Sequence, residues 1–287
     1  MRPIPKFQYH SPESVSEALS LLVELENASP VIGGSDLMIA MRNGVIAPSH
    51  VVDLNEINEL NYIKEEAGVI KIGATATHTQ VASNLIVAQV HSLVDSVSRI
   101  GSPQIRNRGT ITGNICNASP AADSAPPLLV HGAEVEIKSL DGSRVIPIAD
   151  LFTGPKMNCL ETGELLTEIR IPVPPAGAAS SYKRIGRRKA FTLSVVSSAA
   201  YIQMDDETCT DAKVAFGSVA ITPIRVPEAE NLLKGSKLDK ETIKAASKAV
   251  YEAVKPITDV RGTAEYRKDM CPVLMRRAID QCLERLR

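Results

Sequence analysis

The first regular pattern of apolar residues lies near the beginning of the printed sequence. Apolar side chains recur there at the i, i+3, i+4, i+7 spacing of one helical face, with polar residues between them. They are Val15, Ala18, Leu19 and Leu22. The spacing predicts an amphipathic helix to about residue 26. Ser11 followed by Pro12 predicts its start, as a hydroxyl cap and a proline in the first turn.

Short apolar segments separated by turn-forming residues follow, and this alternation predicts an α/β unit. Strands are predicted at 31–32 and 51–54, with a helix over Leu37–Arg42 between them that stops at Asn43-Gly44. A short helical link over 56–62 leads into a hairpin over 62–72 that turns near Ala67-Gly68. Residues 73–77 are small and hydroxyl-rich and connect a strand to a helix.

From residue 81 the pattern predicts one helix and three strands, and then a separate C-terminal unit of strands and helices. A helix over 81–100 is followed by strands at 133–137, 144–147 and 165–171. The proline- and alanine-rich stretch 172–179 predicts a domain boundary. Three antiparallel strands follow at 180–185, 195–204 and 212–219, and then two helices over 240–254 and 264–286. The chain is therefore predicted to be α+β, with units at residues 1–55, 56–175 and 176–287.

The composition is that of an ordinary globular protein. The 287 residues are 44% hydrophobic and carry a net charge of −1, which argues against a basic face for nucleic acid. No apolar run approaches the roughly 20 residues that span a bilayer, and MRPIPKFQYHSPESV lacks the pattern of a signal peptide. We therefore expect a cytoplasmic protein without membrane contact. The five cysteines are scattered, so no disulfide framework, zinc site or iron–sulfur site is predicted.

Two stretches, 31–36 and 101–123, combine glycines with hydroxyl and amide side chains. The first reads VIGGSD and the second GSPQIRNRGTITGNICNASPAAD. Glycines let a backbone approach a ligand closely, and successive N–H groups bind phosphate oxygens. A surface loop rich in turn formers is the alternative for either stretch alone. Two such stretches in one chain favour two halves of one cofactor site.

The motifs of side-chain catalysis are absent from the sequence. It contains no GxSxG, HExxH, P-loop or GxGxxG pattern, so the chain is expected to position a large ligand that carries its own chemistry. A dinucleotide is the natural candidate. Backbone N–H groups near the glycines would hold its pyrophosphate, and Ser35, Thr110 and Thr112 would add hydroxyl donors. Asp36 or Asp123 would accept hydrogen bonds from ribose or ribityl hydroxyls.

The two stretches resemble those of the FAD-binding subunits of the molybdenum hydroxylases, the family of xanthine dehydrogenase and aerobic carbon monoxide dehydrogenase. The likeness covers the whole chain. It implies a two-subdomain FAD-binding fold of the vanillyl-alcohol oxidase type, followed by a small C-terminal domain that includes AFGSVAITPIR at 215–225. Within the family, IGSPQIRN, GNICNASPAADSA and the TGP at 153–155 are most similar to the bacterial xanthine dehydrogenase FAD subunit.

The resemblance also implies the residues that contact FAD. The first motif comprises Ser29, Pro30, Val31, Ile32, Gly33, Gly34, Ser35 and Asp36, and the second comprises Gly109, Thr110, Ile111, Thr112, Gly113 and Asn114. Asp123 matches an acidic contact, Leu165 an apolar one, and Lys183 a lysine close to the isoalloxazine. Two residues depart from the family pattern: Ser35 stands where threonine is usual, and Thr112 stands in place of a glycine.

The resemblance implies an electron-transfer subunit without catalytic side chains of its own. Its partners would be a large subunit with the molybdenum cofactor and a small subunit with two [2Fe-2S] clusters, together a heterotrimer. Electrons would enter FAD from a cluster and leave to NAD or another acceptor, whose path the basic run Arg187-Arg188-Lys189 could border. The substrate is decided in the molybdenum subunit. The alternatives are a stand-alone flavin oxidoreductase of the vanillyl-alcohol oxidase type and a nucleotide-binding scaffold that has lost its flavin.

Four of these residues also have simpler explanations. Asp36 could cap the helix that follows it, and Asp123 could cap a helix beginning at Ser124. Lys183 could belong to an exposed basic turn. Tyr182 could stack on the flavin, but a buried strand tyrosine is the simpler explanation. The sequence alone leaves these alternatives open.

Overall fold

A computed structural model describes residues 3–188 and 192–287. The first unit contains a three-stranded parallel sheet in the order β1-β3-β2 with two helices. Its elements are β1 (Gln8–His10), α1 (Val15–Glu24), β2 (Ala28–Val31), α2 (Leu37–Arg42) and β3 (His50–Asp53). The helix predicted over Leu37–Arg42 is confirmed, with Asn43 at its C-cap.

Helix α1 buries the four residues of the predicted apolar face. Its start differs from the prediction, because Ser14 rather than Ser11 caps it. The Ser14 side chain accepts a hydrogen bond from the backbone N–H of Glu17, which satisfies a free donor of the first turn. Ser11 and Pro12 lie too far upstream to reach such a donor.

The second unit contains a five-stranded antiparallel sheet in the order β4-β5-β10-β6-β7, together with a two-stranded hairpin, β8-β9. Its first elements are β4 (Ile63–Glu66), β5 (Val69–Gly73), α3 (His78–Ser83), α4 (His91–Val97), α5 (Pro103–Arg106), α6 (Ile111–Cys116) and α7 (Ala125–Val130). The others are β6 (Glu134–Ser139), β7 (Gly142–Pro147), α8 (Ile148–Leu151), β8 (Phe152–Gly154), β9 (Met157–Asn158) and β10 (Leu165–Pro172). The hairpin predicted to turn at Ala67-Gly68 is confirmed, and both turn residues have positive φ.

The single helix predicted over 81–100 is wrong. The chain forms α3, a 3₁₀ turn over Val87–Gln89 and then α4. The break follows Asn84, whose side-chain oxygen accepts hydrogen bonds from the N–H groups of Ile86 and Val87 and so competes with the helical backbone pattern. The stretch 101–123 is likewise not one loop, because it contains α5 and α6.

The C-terminal unit is a four-stranded antiparallel sheet in the order β11-β12-β13-β14, covered by three helices. Its elements are β11 (Ala178–Gly186), β12 (Ser194–Asp205), β13 (Thr208–Gly217), β14 (Ile224–Arg225), α9 (Pro227–Leu233), α10 (Lys240–Ala253) and α11 (Ala264–Leu286). The prediction of three strands and two helices therefore missed β14 and α9. A two-residue strand is too short to show a period-2 pattern.

The C-terminal sheet is buried on both faces. One face contributes Tyr182, Ala199 and Ala215 to the core of the second unit, and the other packs on α10 and α11. The two units therefore share a continuous apolar core. No helix of the described residues is both long and apolar enough to cross a membrane.

Candidate cofactor-binding site

A cavity of about 600 Å³ lies where the first two units meet. Its walls come from the segment that follows β2, the segment around α6 and the strands β8 to β10. The lining residues include Pro30, Val31, Ile32, Gly33, Gly34, Ser35, Asp36, His78, Ile100, Ile105, Gly109, Thr110, Thr112, Gly113, Asn114, Asn117, Lys156, Leu160, Glu164, Leu165 and Leu166. The structure therefore brings the two glycine-containing stretches into one cavity.

The two stretches touch each other through glycine backbone. A Cβ atom on Gly33 would lie 2.3 Å from the carbonyl oxygen of Arg108, a contact that no side chain tolerates. Gly34 has φ of +68°, in the left-handed region that favours glycine. No hydrogen bond among the described residues uses the backbone N–H groups of Gly33, Gly34 or Ser35. These donors are therefore available to a ligand.

Helix α6 begins at the other side of this contact. The Thr110 hydroxyl accepts a hydrogen bond from the Gly113 N–H at 3.0 Å and so caps the helix. The carbonyl oxygen of Gly109 accepts a hydrogen bond from the His78 N–H at 2.9 Å, which fixes the loop before α6 to the start of α3. The short glycine-to-helix turn is thus held rigidly at the cavity wall.

Thirteen of the predicted residues line the cavity and four do not. Ser29 lies in β2, where it pairs with Val51, and Ile111 is the first residue of α6 and is fully buried. Asp123 and Lys183 are also absent from the cavity wall.

The structure places Asp123 at the contact with the C-terminal unit. It is 6% exposed. Its carboxylate accepts hydrogen bonds from the Tyr182 hydroxyl at 2.6 Å, the Ser194 hydroxyl at 2.6 Å and the Arg184 guanidinium at 2.7 Å. Burial raises the pKa of Tyr182 well above its usual range, and the negative charge of the Asp123 carboxylate raises it further. All these partners belong to the C-terminal unit, so Asp123 joins the two units.

Lys183 lies on β11 between Tyr182 and Arg184 and therefore points to the opposite face of the sheet. Its ammonium group donates a hydrogen bond to the side chain of Gln281 on α11. Burial lowers its pKa. Its predicted proximity to the isoalloxazine remains a prediction. Of the basic run predicted to border an acceptor path, Lys189 lies outside the described residues.

Neither aspartate caps a helix through its side chain. Asp36 occupies the N-cap position of α2 but makes no capping hydrogen bond, and its side chain is exposed at the cavity. Ser124, rather than Asp123, precedes α7. Tyr182 is a buried strand residue, 1% exposed.

The sequence did not single out several polar residues of the cavity wall. His78 follows the hydroxyl-rich run 73–77, which was the one available signal for it. It is 2% exposed, and burial lowers its pKa to about 4, so it stays neutral. The Glu164 carboxylate pairs with Arg144 at 2.8 Å, which lowers the pKa of Glu164. Lys156 and Asn117 complete this polar part of the wall.

The residues present fit a dinucleotide. Gly33 lines the cavity, and the Arg108 backbone beside it leaves no room for a side chain. The free backbone N–H groups suit the phosphates of such a ligand, and the exposed Asp36 carboxylate suits its sugar hydroxyls. Leu160, Leu165 and Leu166 offer an apolar surface to a flat ring.

Two family models match the chain. The FAD binding domain in molybdopterin dehydrogenase matches residues 5–174, and the CO dehydrogenase flavoprotein C-terminal domain matches residues 180–282. The chain is a member of the molybdenum hydroxylase FAD-binding subunits. FAD is therefore its cofactor, and the family resemblance of the two glycine-containing stretches is confirmed.

Relatives within this family match over nearly their full length. The carbon monoxide dehydrogenase medium chain of Afipia carboxidovorans is 36% identical, with 97% of each chain covered. The xanthine dehydrogenase FAD-binding subunit of Escherichia coli is 32% identical, with 96% of this chain and 95% of the relative covered. The structure of carbon monoxide dehydrogenase from Hydrogenophaga pseudoflava superposes with a TM-score of 0.95 at 32% identity, over 99% of each chain. The relatives of this chain are thus FAD-containing subunits of oxidoreductase complexes.

Proposed function

We propose that this chain passes electrons from the iron–sulfur clusters of a small partner subunit through FAD to NAD or another acceptor. A large subunit with the molybdenum cofactor would complete the complex. FAD supplies the redox chemistry, and the protein binds and orients it. The observation that carries the proposal is the cavity between the Gly33-Gly34 and Gly109–Asn114 segments, in a chain of this family.

The residues of the cavity wall would hold the cofactor without a covalent bond. Cys116 and His78 line the cavity and are the residue types that tether flavins. Burial raises the pKa of the Cys116 thiol to about 12, so the nucleophilic thiolate is scarce. The His78 side chain is only 2% exposed, so its ring presents little surface to a ligand in the cavity. We infer that FAD is held by the free backbone N–H groups and by apolar contacts such as Leu165.

The cysteines of this chain favour clusters that reside on another chain. Cys209, Cys271 and Cys282 are buried in the core of the C-terminal unit, and the described residues contain no group of His, Cys, Asp or Glu side chains that could hold a metal ion. Burial raises the pKa of Cys271 and Cys282 to about 12. Cluster ligands are thiolates grouped around iron, which these thiols are not. Free thiols also suit a reducing compartment, and we infer a cytoplasmic complex.

The finer architecture belongs to the same proposal. We infer that residues 1–55 and 56–175 are the two subdomains of a vanillyl-alcohol oxidase type FAD-binding fold. Residues 176–287 would then form the small C-terminal domain. The position of the cavity between the first two units supports this division.

The test is purification of the tagged chain from its native host, with metal and flavin analysis of whatever copurifies. We expect a larger chain with molybdenum, a smaller chain with iron and one FAD per tagged chain. Adding the oxidisable substrate of the large subunit should bleach the flavin, and NAD should restore its colour. A flavin-loaded chain that purifies alone and is reduced directly by a substrate would contradict the proposal.

A further inference from the structure

Lys156 lies in a strained position on the cavity wall. It occupies the turn between β8 and β9 with φ of +63°, a conformation that is uncommon for a residue with a side chain. Its backbone N–H donates a hydrogen bond to the carbonyl oxygen of Ala118 at 2.9 Å. Strained residues of this kind persist where the surrounding structure fixes them, and they cluster at ligand sites.

The charge of Lys156 is not neutralised by a protein carboxylate. The charged residues of the described cavity wall are Asp36, Lys156 and Glu164. Glu164 is paired with Arg144 at 2.8 Å and also accepts a hydrogen bond from the Glu161 N–H. Lys156 donates instead to the neutral side-chain oxygen of Asn117 at 2.8 Å. Among the described residues it makes no salt bridge, so its positive charge is available to an anionic ligand.

Asn117 places this cation at one end of α6. It is the C-cap residue of the helix, whereas the contact between the glycine segments lies at the helix N-terminus. The helix rises about 1.5 Å per residue, so its two ends are roughly 9 Å apart. Ile105 and His78 adjoin Gly109 at the N-terminal end. The cavity therefore has an end with Ile105 and His78 and an end with Lys156 and Asn117.

We propose that Lys156, positioned by Asn117, binds the adenosine diphosphate half of FAD and makes the chain select the dinucleotide. The proposal rests on the cavity being the FAD site. A pyrophosphate held near the glycine segments leaves the adenylate to extend along α6 toward the cation. Leu160, Leu165 and Leu166 supply the apolar wall against which a purine ring packs. The isoalloxazine then occupies the end with Ile105 and His78.

The experiment measures binding of ADP and of FAD to the flavin-free chain by titration calorimetry at low and high salt. Lys156→Met removes the charge and keeps the chain length. We expect it to weaken the binding of both ligands at least about tenfold at low salt, with a smaller loss at high salt because screening already weakens the wild-type contact. Asn117→Ala should give a smaller loss, since the ammonium group remains but is no longer held.

Two further variants separate charge from backbone strain and from general effects. Lys156→Gly relieves the positive φ, so it should lose ADP affinity as Lys156→Met does while unfolding at an equal or higher temperature. Lys138→Met is the control, because Lys138 lies on β6 and pairs with Glu136. It should bind both ligands as the wild type does.

The bound flavin provides the readout that locates the contact. With Lys156 at the adenylate, the visible spectrum and reduction potential of FAD in Lys156→Met should match those of the wild type. Unchanged ADP affinity in Lys156→Met would overturn the proposal, and so would a shifted potential without loss of ADP affinity. A wild-type chain that binds neither FAD nor ADP would instead contradict the assignment of the cavity itself.

Discussion

The cofactor cavity and the contact between the second and C-terminal units use the same residue type in opposite ways. Asp36 follows a glycine segment, is exposed at the cavity and makes no capping hydrogen bond. Asp123 follows a similar segment, is buried and accepts three hydrogen bonds from the C-terminal unit. The cavity leaves the Asp36 carboxylate without a capping partner, whereas the contact satisfies the Asp123 carboxylate.

This difference separates ligand binding from stability. A free N–H or carboxylate at a cavity costs little while it is solvated and is available to a ligand. A buried carboxylate must be paired, and removing its partner leaves a buried charge without compensation. Substitutions of exposed polar side chains in the cavity should therefore change FAD affinity at nearly constant stability, and substitutions at the contact should do the reverse.

The largest effect is expected for Gly33→Ala. A Cβ atom there would lie 2.3 Å from backbone of the facing segment, so the two glycine segments must separate. We expect FAD affinity to fall by more than about a hundredfold, equivalent to roughly 2.7 kcal/mol. Flavin fluorescence titration measures this loss.

Gly34→Ala is the matched control for Gly33→Ala. Its Cβ would meet only ordinary contacts with the side chains of Met38 and Val31, at 3.4 and 3.6 Å, although its positive φ adds strain. We expect a smaller loss of FAD affinity, and equal losses in the two variants would contradict the steric account.

Asp123→Ala should produce the largest loss of stability. It leaves Arg184 buried without its carboxylate partner, and removing one member of a buried pair costs about 3–5 kcal/mol. Chemical denaturation of the flavin-free chain measures the free energy of unfolding. Asp36→Ala, the comparison in the cavity, should leave that free energy unchanged. Similar losses in both variants would remove the distinction between the two regions.

His131 gives the contact a pH dependence. Its ring shares a hydrogen bond with the Ser180 hydroxyl of β11 at 2.9 Å, and burial lowers its pKa from 6.5 to about 3. The unfolded chain takes up the proton first, so this contribution to stability is full above pH 6.5 and is lost as pH falls toward 3. His131→Gln should reduce the pH slope of the unfolding free energy in this window by up to about 1.4 kcal/mol per pH unit. An unchanged slope would contradict the assignment.

The smallest effect on FAD binding is expected for Lys183→Met. The Lys183 ammonium group donates to Gln281 and lies away from the cavity wall, so FAD affinity should match the wild type. Potentiometric titration tests the proximity to the isoalloxazine that the family resemblance implies. A potential lowered by about 30 mV, equivalent to roughly 1.4 kcal/mol for a two-electron couple, would place the lysine beside the ring. An equal potential would assign it to the contact between β11 and α11.

The sequence predicts the cavity better than the contact, for a physical reason. The glycine segments are local patterns, so Gly33, Gly34 and Gly109 can be recognised without knowing their neighbours. The partners of Asp123 lie 59 to 71 residues further along the chain, and no local pattern reports them. Lys156 was missed because its only distinguishing features are a positive φ and the lack of a carboxylate partner, which the sequence does not display. The break at Asn84 was missed because the apolar spacing continues across it.

The most direct test of the account is a titration of the flavin-free chain with FAD, followed by acid precipitation. We expect one FAD per chain in the wild type, with all the flavin released into the supernatant, and no stoichiometric binding in Gly33→Ala while its circular dichroism spectrum is unchanged. Stoichiometric FAD on a folded Gly33→Ala chain would contradict the claim that the cofactor lies between the two glycine segments.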